Sequence, residues 1–173
     1  MTASPGDSRM TEPYVLEKAV WTDADFEEMG WHDVPIHATA YLSELDEIAF
    51  DIDYILKWVN PAAGETFYSF WIAPATLVFE NVTDLRIDLE FFGNNITIQH
   101  LSRADMQPTR QGFIGPDAAW LWTLNCLEGA IQFRATGFRQ TIRRVPQHHG
   151  GQRLDLADRG GITFSEHHDP SNV

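Results

Sequence analysis

Histidine and aspartate residues in one third of the chain are the features of this sequence that can carry chemistry. His32 and Asp33 are consecutive, His37 follows shortly after, and Asp51 and Asp53 lie two residues apart. Imidazole nitrogens and carboxylate oxygens ligate divalent metal ions, and an imidazole beside a carboxylate can act in acid–base catalysis. These five residues therefore define one hypothesis, a His/Asp pocket in a metal-dependent enzyme or metal-binding protein. His32, Asp33 and His37 would be the metal ligands.

A charged sheet face is the competing interpretation of the same aspartates. Asp51 and Asp53 share one side of an alternating run, about 7 Å apart by strand geometry. Asp88 and Glu90 share the polar side of a second alternating run. Carboxylates in this arrangement can bind a basic protein, or they can belong to an ordinary solvated face. The sequence therefore offers Asp51, Asp53, Asp88 and Glu90 as candidate binding residues.

The segment from Glu47 to Val59 is the strand that must position the two aspartates. Its apolar side chains fall on every second position, as in a half-buried antiparallel strand. They are Ile48, Phe50, Ile52, Tyr54, Leu56 and Trp58. A helix would scatter these residues around its axis, so the pattern predicts a strand.

Similar short alternating runs, separated by turn residues, continue along most of the chain. We expect about nine strands and one short N-terminal helix over Trp21 to Gly30. Parallel pairing requires helical crossovers, and the sequence shows none. The predicted fold class is mainly β, with α+β as the variant, arranged as an antiparallel β-sandwich or open barrel. Residues 102–118 are predicted to form the longest connection, and Gly161 to Phe164 a last strand.

Length and composition indicate one folded domain. The chain has 173 residues, of which 43% are hydrophobic, with 11 Phe and 6 Trp. We expect a disordered leader over residues 1–13, a single β-rich domain over residues 14–165 and a flexible tail over residues 166–173. The aromatic residues also support a third hypothesis, a barrel that binds an apolar small ligand, although core packing is their more common role.

The charge of the chain limits its partners. Its formal charge is −13, with 25 acidic and 12 basic residues. This charge argues against nucleic acid and anionic membranes as partners, and favours a basic protein. We find no secretory signal, no membrane-spanning apolar run and a single cysteine, Cys126, which together predict a cytoplasmic protein.

Established catalytic motifs do not occur in the sequence. It has no phosphate-binding loop, dinucleotide fingerprint, nucleophile elbow or Cys-x-x-Cys pair. The pairs His148-His149 and His167-His168 fall in a predicted loop and tail, where side chains seldom hold a fixed geometry. The sequence therefore favours a binding protein, without a cofactor, over an enzyme.

Four segments carry a resemblance to a known family. They are WTDADFEEMGWHD, FDIDYILKW, WIAPATLVFENV and GAIQFRATGFRQ, and together they span most of residues 21–140. They resemble a family of small uncharacterised bacterial proteins, a domain of unknown function. The Trp-His-Asp opening on an acidic β-rich chain is also similar to some immunity proteins of bacterial toxin systems. That resemblance implies a stoichiometric binder without catalysis.

The leading prediction is a small cytoplasmic protein-binding module, immunity-like, that contacts a basic partner through an acidic sheet face. A homodimer is an alternative assembly, because exposed strand edges can pair with a second copy.

Overall fold

The computed structural model describes residues 13–93 and 95–171, and these residues form a mainly antiparallel β fold, as predicted. The strands are β1 (Val20–Thr22), β2 (Val34–Leu42), β3 (Glu47–Val59), β4 (Ser69–Glu80), β5 (Thr83–Leu89), β6 (Ile96–Pro108), β7 (Ala118–Cys126), β8 (Gly129–Ala135), β9 (Gly137–Ile142) and β10 (Gln147–His149). The helical segments are a 3-10 helix, Asp23–Glu28, and one turn of α-helix, α1 (Leu156–Arg159). None of the described helices is long and apolar enough to cross a membrane.

All ten strands belong to one open sheet. Their order is β1-β9-β4-β3-β2-β6-β7-β8-β5, and β10 pairs with β4 beside β9. The ribbon of β4 and β9 continues into the ribbon of β5 and β8, with a bend at Asn81 and Thr136. Asn81 has a left-handed backbone with φ 55°, a conformation that asparagine tolerates better than most residues. This bend folds the sheet back on itself.

The main core lies between the two halves of the folded sheet. Phe79 of β4 packs against Phe133 of β8 and Trp122 of β7, with ring centroids 4.7 and 5.2 Å apart. None of the three side chains is exposed to solvent. Because β4 pairs with neither β7 nor β8, these contacts show that the two halves face each other. These three aromatic residues therefore form part of the core between the two halves.

A second, smaller layer covers the outer face of β3 and β4. Leu154 packs there with Ile55, Phe70 and Ile72. The chain around Leu154 runs over the sheet from β10 to residue 171, and we call residues 150–171 the C-terminal segment. As a result, β3 is buried on both faces over most of its length.

The C-terminal segment includes the predicted tail. His168 Nδ1 lies 2.7 Å from the carbonyl oxygen of Ile142, and the Asp169 amide donates to the carbonyl oxygen of Arg143 over 2.7 Å. Residues 166–171 therefore lie against the end of β9. Residues 1–12 of the predicted leader and residues 172–173 lie outside the described ranges.

Two elements differ from the sequence expectation. Strand β6 continues to Pro108 beside β7, so residues 102–108 of the predicted connection are strand. Residues 104–108 are exposed, and a strand without a buried face has no alternating apolar pattern by which to detect it. The predicted last strand at Gly161–Phe164 is irregular chain that follows α1.

Candidate functional site

The two aspartates of β3 are completely buried. Asp51 and Asp53 have no solvent exposure, because the C-terminal segment covers the face of β3 from which they project. An acidic side chain that is buried in this way cannot contact a partner protein. The expectation that these two residues belong to an exposed acidic face is therefore corrected: they lie beneath the C-terminal segment.

Arg159 of α1 is the main partner of both carboxylates. Its Nη2 and Nη1 donate to Asp51 Oδ1 and Oδ2 over 2.6 and 2.8 Å, and its Nε donates to Asp53 Oδ1 over 3.0 Å. Arg159 also donates hydrogen bonds to the carbonyl oxygens of Ile52 and Gly161. The planar guanidinium is suited to this arrangement, since it presents several donors in a fixed fork.

Arg143 adds a second cation beside Asp51. Its Nη2 donates to Asp51 Oδ1 and its Nη1 to Thr76 Oγ1, both over 2.7 Å. The Thr76 hydroxyl in turn donates to the carbonyl oxygen of Ser165 over 2.7 Å. Strand β4 and the C-terminal segment are thereby joined through the same group of polar atoms.

His37 of β2 completes what we call the buried charge cluster: Asp51, Asp53, Arg143, Arg159 and His37. Its Nε2 lies 2.7 Å from Asp53 Oδ2, and its side chain is 1% exposed. Arg153 Nη2 lies 3.3 Å from Nδ1 of the same ring. Because arginine only donates hydrogen bonds, Nδ1 is the acceptor and Nε2 carries the hydrogen that Asp53 accepts.

Backbone amides of the C-terminal segment use the remaining acceptor positions of the aspartates. The Leu154 amide donates to Asp53 Oδ2 over 2.9 Å, and the Thr163 amide donates to Asp51 Oδ2 over 3.0 Å. The carboxylates therefore hold the C-terminal segment on the sheet both through Arg159 and through its backbone. The geometry is that of a structural attachment.

The pKa values within the cluster follow from burial and charge together. Burial alone would raise the pKa of Asp51, but hydrogen bonds from Arg159 and Arg143 outweigh it and the pKa is lowered. The pKa of Asp53 is lowered in the same way, with His37 as its main hydrogen-bond partner. Burial lowers the pKa of Arg143, whereas the aspartates raise that of Arg159 against the effect of burial. Both aspartates are thus charged at neutral pH.

His32 and Asp33 form a separate pair. Asp33 accepts hydrogen bonds from the side-chain amides of Gln99 and Gln152 over 2.7 and 2.9 Å. His32 Nδ1 lies 3.1 Å from Asp33 Oδ1. The His32 side chain is 66% exposed, and its ring packs edge-on against the ring of Trp58. The structure therefore places His37 with Asp53 and Asp51, while His32 and Asp33 lie in a different hydrogen-bonded group.

The predicted metal ligands do not form a coordination site in the described part of the chain. No group of three or more His, Cys, Asp or Glu side chains is placed there to hold a metal ion. Asp51 and Asp53 are already occupied by donors that carry positive charge or by backbone amides. A cation would have to displace those donors, so the cluster does not fit a metal ion.

The remaining two predicted residues are Asp88, in strand β5, and Glu90, directly after it, and both are exposed. Strand β5 is the last strand of the sheet and pairs only with β8 among the described strands. Leu85 and Ile87 are 36% and 57% exposed. We call Leu85–Leu89 together with Glu90 the β5 edge.

The backbone of the β5 edge presents unused hydrogen-bonding groups. The Glu90 amide donates to the carbonyl oxygen of Glu128 over 2.8 Å, and the Asp88 carbonyl oxygen lies 2.1 Å from where a Cβ on Gly129 would be. Asp88 and Glu90 therefore direct their backbone groups toward β8. Antiparallel pairing alternates over the registered residues Arg86–Leu89, so the N–H and C=O groups of Ile87 and Leu89 point away from the sheet.

A surface cleft of about 930 Å³ opens beside the start of β5. Asp84 and Asp46 contribute carboxylates to its lining, together with Tyr41 and Arg134. Arg134 is already paired with Asp105, so its charge is largely offset. Asp46 and Asp84 both have a left-handed backbone, with φ 51° and 54°. Backbone strain of this kind is often found at functional sites.

Arg143 and Arg159 are not among the residues predicted from the sequence. A buried aspartate needs a cation as its partner. The alternating pattern of β3 does not indicate which cation pairs with Asp51, because Arg159 is 108 residues away in the sequence.

Comparison with known proteins gives no assignment. No protein-family model, no curated protein and no solved structure matches this chain. The resemblance to a family of small bacterial proteins and to immunity proteins therefore stays a prediction.

Proposed function

We propose that this chain is a protein-binding module that takes up an extended segment of a basic partner at the β5 edge. The observation that carries the proposal is the outward-facing backbone of Ile87 and Leu89 on an exposed final strand. An added strand would form its main-chain hydrogen bonds with these groups, as in other cases of strand addition.

Side chains along the β5 edge supply the preference for a basic partner. Asp84, Asp88 and Glu90 are acidic and exposed, and Arg86 is the only basic residue among positions 83–90. Charges at such a rim select partners and speed association more than they add affinity. The carboxylates of Asp46 and Asp84 in the neighbouring cleft provide a further position for a lysine or arginine side chain.

The opposite edge of the sheet is a poorer binding site. Strand β1 has only three residues and leads directly into the 3-10 helix, so it offers few free backbone groups. Short edge strands are one means by which proteins prevent unwanted pairing. The proposal therefore places the interaction at β5.

An immunity-like role is compatible with this proposal, because such a protein acts by binding and needs no catalytic group. The two other hypotheses receive less support. The described residues offer no group of three or more metal ligands, and the buried aromatic side chains, such as Phe50, Phe79 and Trp122, pack against one another in the core.

A proline substitution tests the proposal at the backbone. The Ile87 amide points away from β8, so Ile87→Pro removes a free donor without breaking an existing ladder bond. Val20→Pro is the matched control at the opposite edge of the sheet. The Ile142 amide donates to the carbonyl oxygen of Ala19, and hydrogen bonding alternates along the β1–β9 pair, so the Val20 amide also points away from the sheet.

The measurement is capture of partners from a lysate of the source cells with wild-type and both variants, followed by titration of the purified partner against each. We expect wild-type and Val20→Pro to bind with equal affinity and Ile87→Pro to lose at least about tenfold. Equal binding by all three proteins would contradict the proposal.

A further inference from the structure

The regular part of β5 begins after a bulge. Asp84 has a left-handed backbone with φ 54°, and the pairing of β5 with β8 shifts by one residue between Thr83 and Arg86. This bulge interrupts the strand at its start, so the regular pairing with β8 runs over Arg86–Leu89. Ile87 lies within that stretch, between Arg86 and Asp88.

Charges on either side of Ile87 are opposite in sign. Arg86 precedes it and Asp88 follows it, and both side chains are exposed on the same face of the strand. If two copies of this strand lie antiparallel about a two-fold axis at Ile87, Arg86 of each copy stands opposite Asp88 of the other. The strand is therefore complementary in charge to itself.

The backbone geometry fits the same pairing. Ile87 and Leu89 direct their N–H and C=O groups outward, and in this register Ile87 pairs with Ile87 of the second copy and Leu89 lies opposite Leu85 of the second copy. Arg86 and Asp88 then occupy the positions without backbone hydrogen bonds, where opposite side chains approach most closely.

Other two-fold registers are less favourable. An axis at Arg86 places Arg86 opposite Arg86 of the second copy, and Asp84 opposite Asp88 of the second copy. An axis at Asp88 places two aspartates face to face at the centre, and its opposite-charge pair, Arg86 with Glu90 of the second copy, relies on a residue beyond the end of β5. An axis at Leu85 extends the pairing into the bulge at Asp84. Like charges in direct opposition destabilise a strand pair, so Ile87 is the preferred centre.

We infer that the chain forms a two-fold symmetric dimer by antiparallel pairing of β5 with β5 of a second copy, centred on Ile87. This inference rests on the proposed function, since it names a second copy as the occupant of the same edge when no other partner is present. Phe91 and Phe92, which are 64% and 77% exposed just beyond the strand, would add apolar area to the interface. A basic partner would compete with the second copy for β5.

The affinity of this dimer is limited by two features. Five paired residues bury less surface than a standard stable interface, and Asp84 lies near Glu90 of the second copy. The net charge of −13 on each chain adds long-range repulsion, which salt screens. We therefore expect a reversible monomer–dimer equilibrium.

Charge exchange at two positions tests the inference. The proteins are wild type, Arg86→Asp, Asp88→Arg and the double variant, with circular dichroism to confirm that each is folded. Sedimentation equilibrium of the full chain, at concentrations up to about millimolar and moderate salt, gives the association constant. We expect wild type to approach twice its monomer mass of 19.7 kDa and each single variant to dimerise at least about tenfold more weakly.

The double variant and the mixture of single variants give the decisive results. The double variant restores opposite charges at both pairs, and an equimolar mixture of the two single variants does so in a heterodimer. Recovery of dimer in both samples supports the inference. A monomeric wild type at every concentration, or a dimer that none of the substitutions changes, would overturn it. Partner binding by Ile87→Pro is measured separately, so failure of self-pairing leaves the proposed function to its own test.

Discussion

Arg159 Nη2 donates to Asp51 Oδ1 over 2.6 Å, and neither side chain has any solvent exposure. The pair joins α1 in the C-terminal segment to the middle of β3. A buried ion pair is not necessarily more stable than an apolar contact, but loss of one partner leaves the other charge buried and uncompensated. The attachment of the C-terminal segment to the sheet therefore depends on keeping both charges.

Removal of the cation is the most damaging single change that the cluster predicts. Arg159→Met should lower the free energy of unfolding by about 3–5 kcal/mol, because Asp51 and Asp53 lose their shared donor. Urea denaturation at pH 7 measures the loss. Arg110→Met, at an exposed position, is the matched control and should change stability by less than about 0.5 kcal/mol. Equal stability of the two variants would contradict the role of the cluster.

The stability of the protein should depend on pH through the same aspartates. Their pKa values are lowered in the folded state, whereas an aspartate in an unfolded chain has a pKa of about 3.9. The unfolded state therefore binds protons first on acidification. The stabilisation from Asp51 and Asp53 is present in full above the unfolded pKa and is lost as the pH falls through the folded values.

Asp53→Asn isolates this contribution. We expect the variant to be less stable than wild type at pH 7 and to lose less stability between about pH 5 and pH 3, where Asp53 of the unfolded wild-type chain takes up its proton while the folded one stays charged. Asp117→Asn, an exposed change, should keep the wild-type slope. Parallel curves for wild type and Asp53→Asn, from urea denaturation at each pH, would show that Asp53 does not contribute.

Amide exchange reports whether the carboxylates hold the backbone of the C-terminal segment. The amides of Leu154 and Thr163 donate to Asp53 and Asp51, so they should exchange slowly in wild-type protein. In Arg159→Met both amides should exchange faster than those of β3. If they exchange at the rate of exposed loops in wild type, the segment is not held as described.

Cys126 should be unreactive in the native protein. Burial raises the pKa of its thiol to about 12, so the thiolate is scarce at pH 8. We expect alkylation by iodoacetamide to be at least about a hundredfold slower in native protein than in urea, where the thiol pKa is about 8.5. Mass spectrometry of timed samples measures this ratio, and equal rates in the two conditions would contradict the burial of the thiol.

The sequence predicted β3 well because strand alternation is a local pattern. The alternation over Glu47–Val59 indicates the correct strand, and Ile48, Phe50, Ile52 and Tyr54 lie in the main core with Leu56 packed against it. Trp58 does not: it follows a register shift between Ile55 and Lys57 and is 41% exposed beside Phe70 of the outer layer. The opposite face could not be predicted in the same way. Whether Asp51 meets water or Arg159 depends on a segment 108 residues later, and no local pattern connects the two.

Strand β5 shows that an alternating pattern does not by itself indicate burial. Leu85, Ile87 and Leu89 alternate with polar residues like a half-buried strand, and the strand does form. Its apolar side is nevertheless mostly exposed, because β5 is the last strand and the opposing half of the sheet does not cover it. Alternation predicts which side chains share a face, and only the tertiary structure determines whether that face is covered.

Hydrogen exchange at the β5 edge tests the central claim most directly. In dilute protein the amides of Ile87 and Leu89 should exchange rapidly while the Asp88 and Glu90 amides are protected by β8. Addition of a saturating partner, or concentration to the dimer, should protect the two outward amides at least about tenfold. If these amides are protected in dilute protein, or stay unprotected in the complex, the β5 edge is not the binding site.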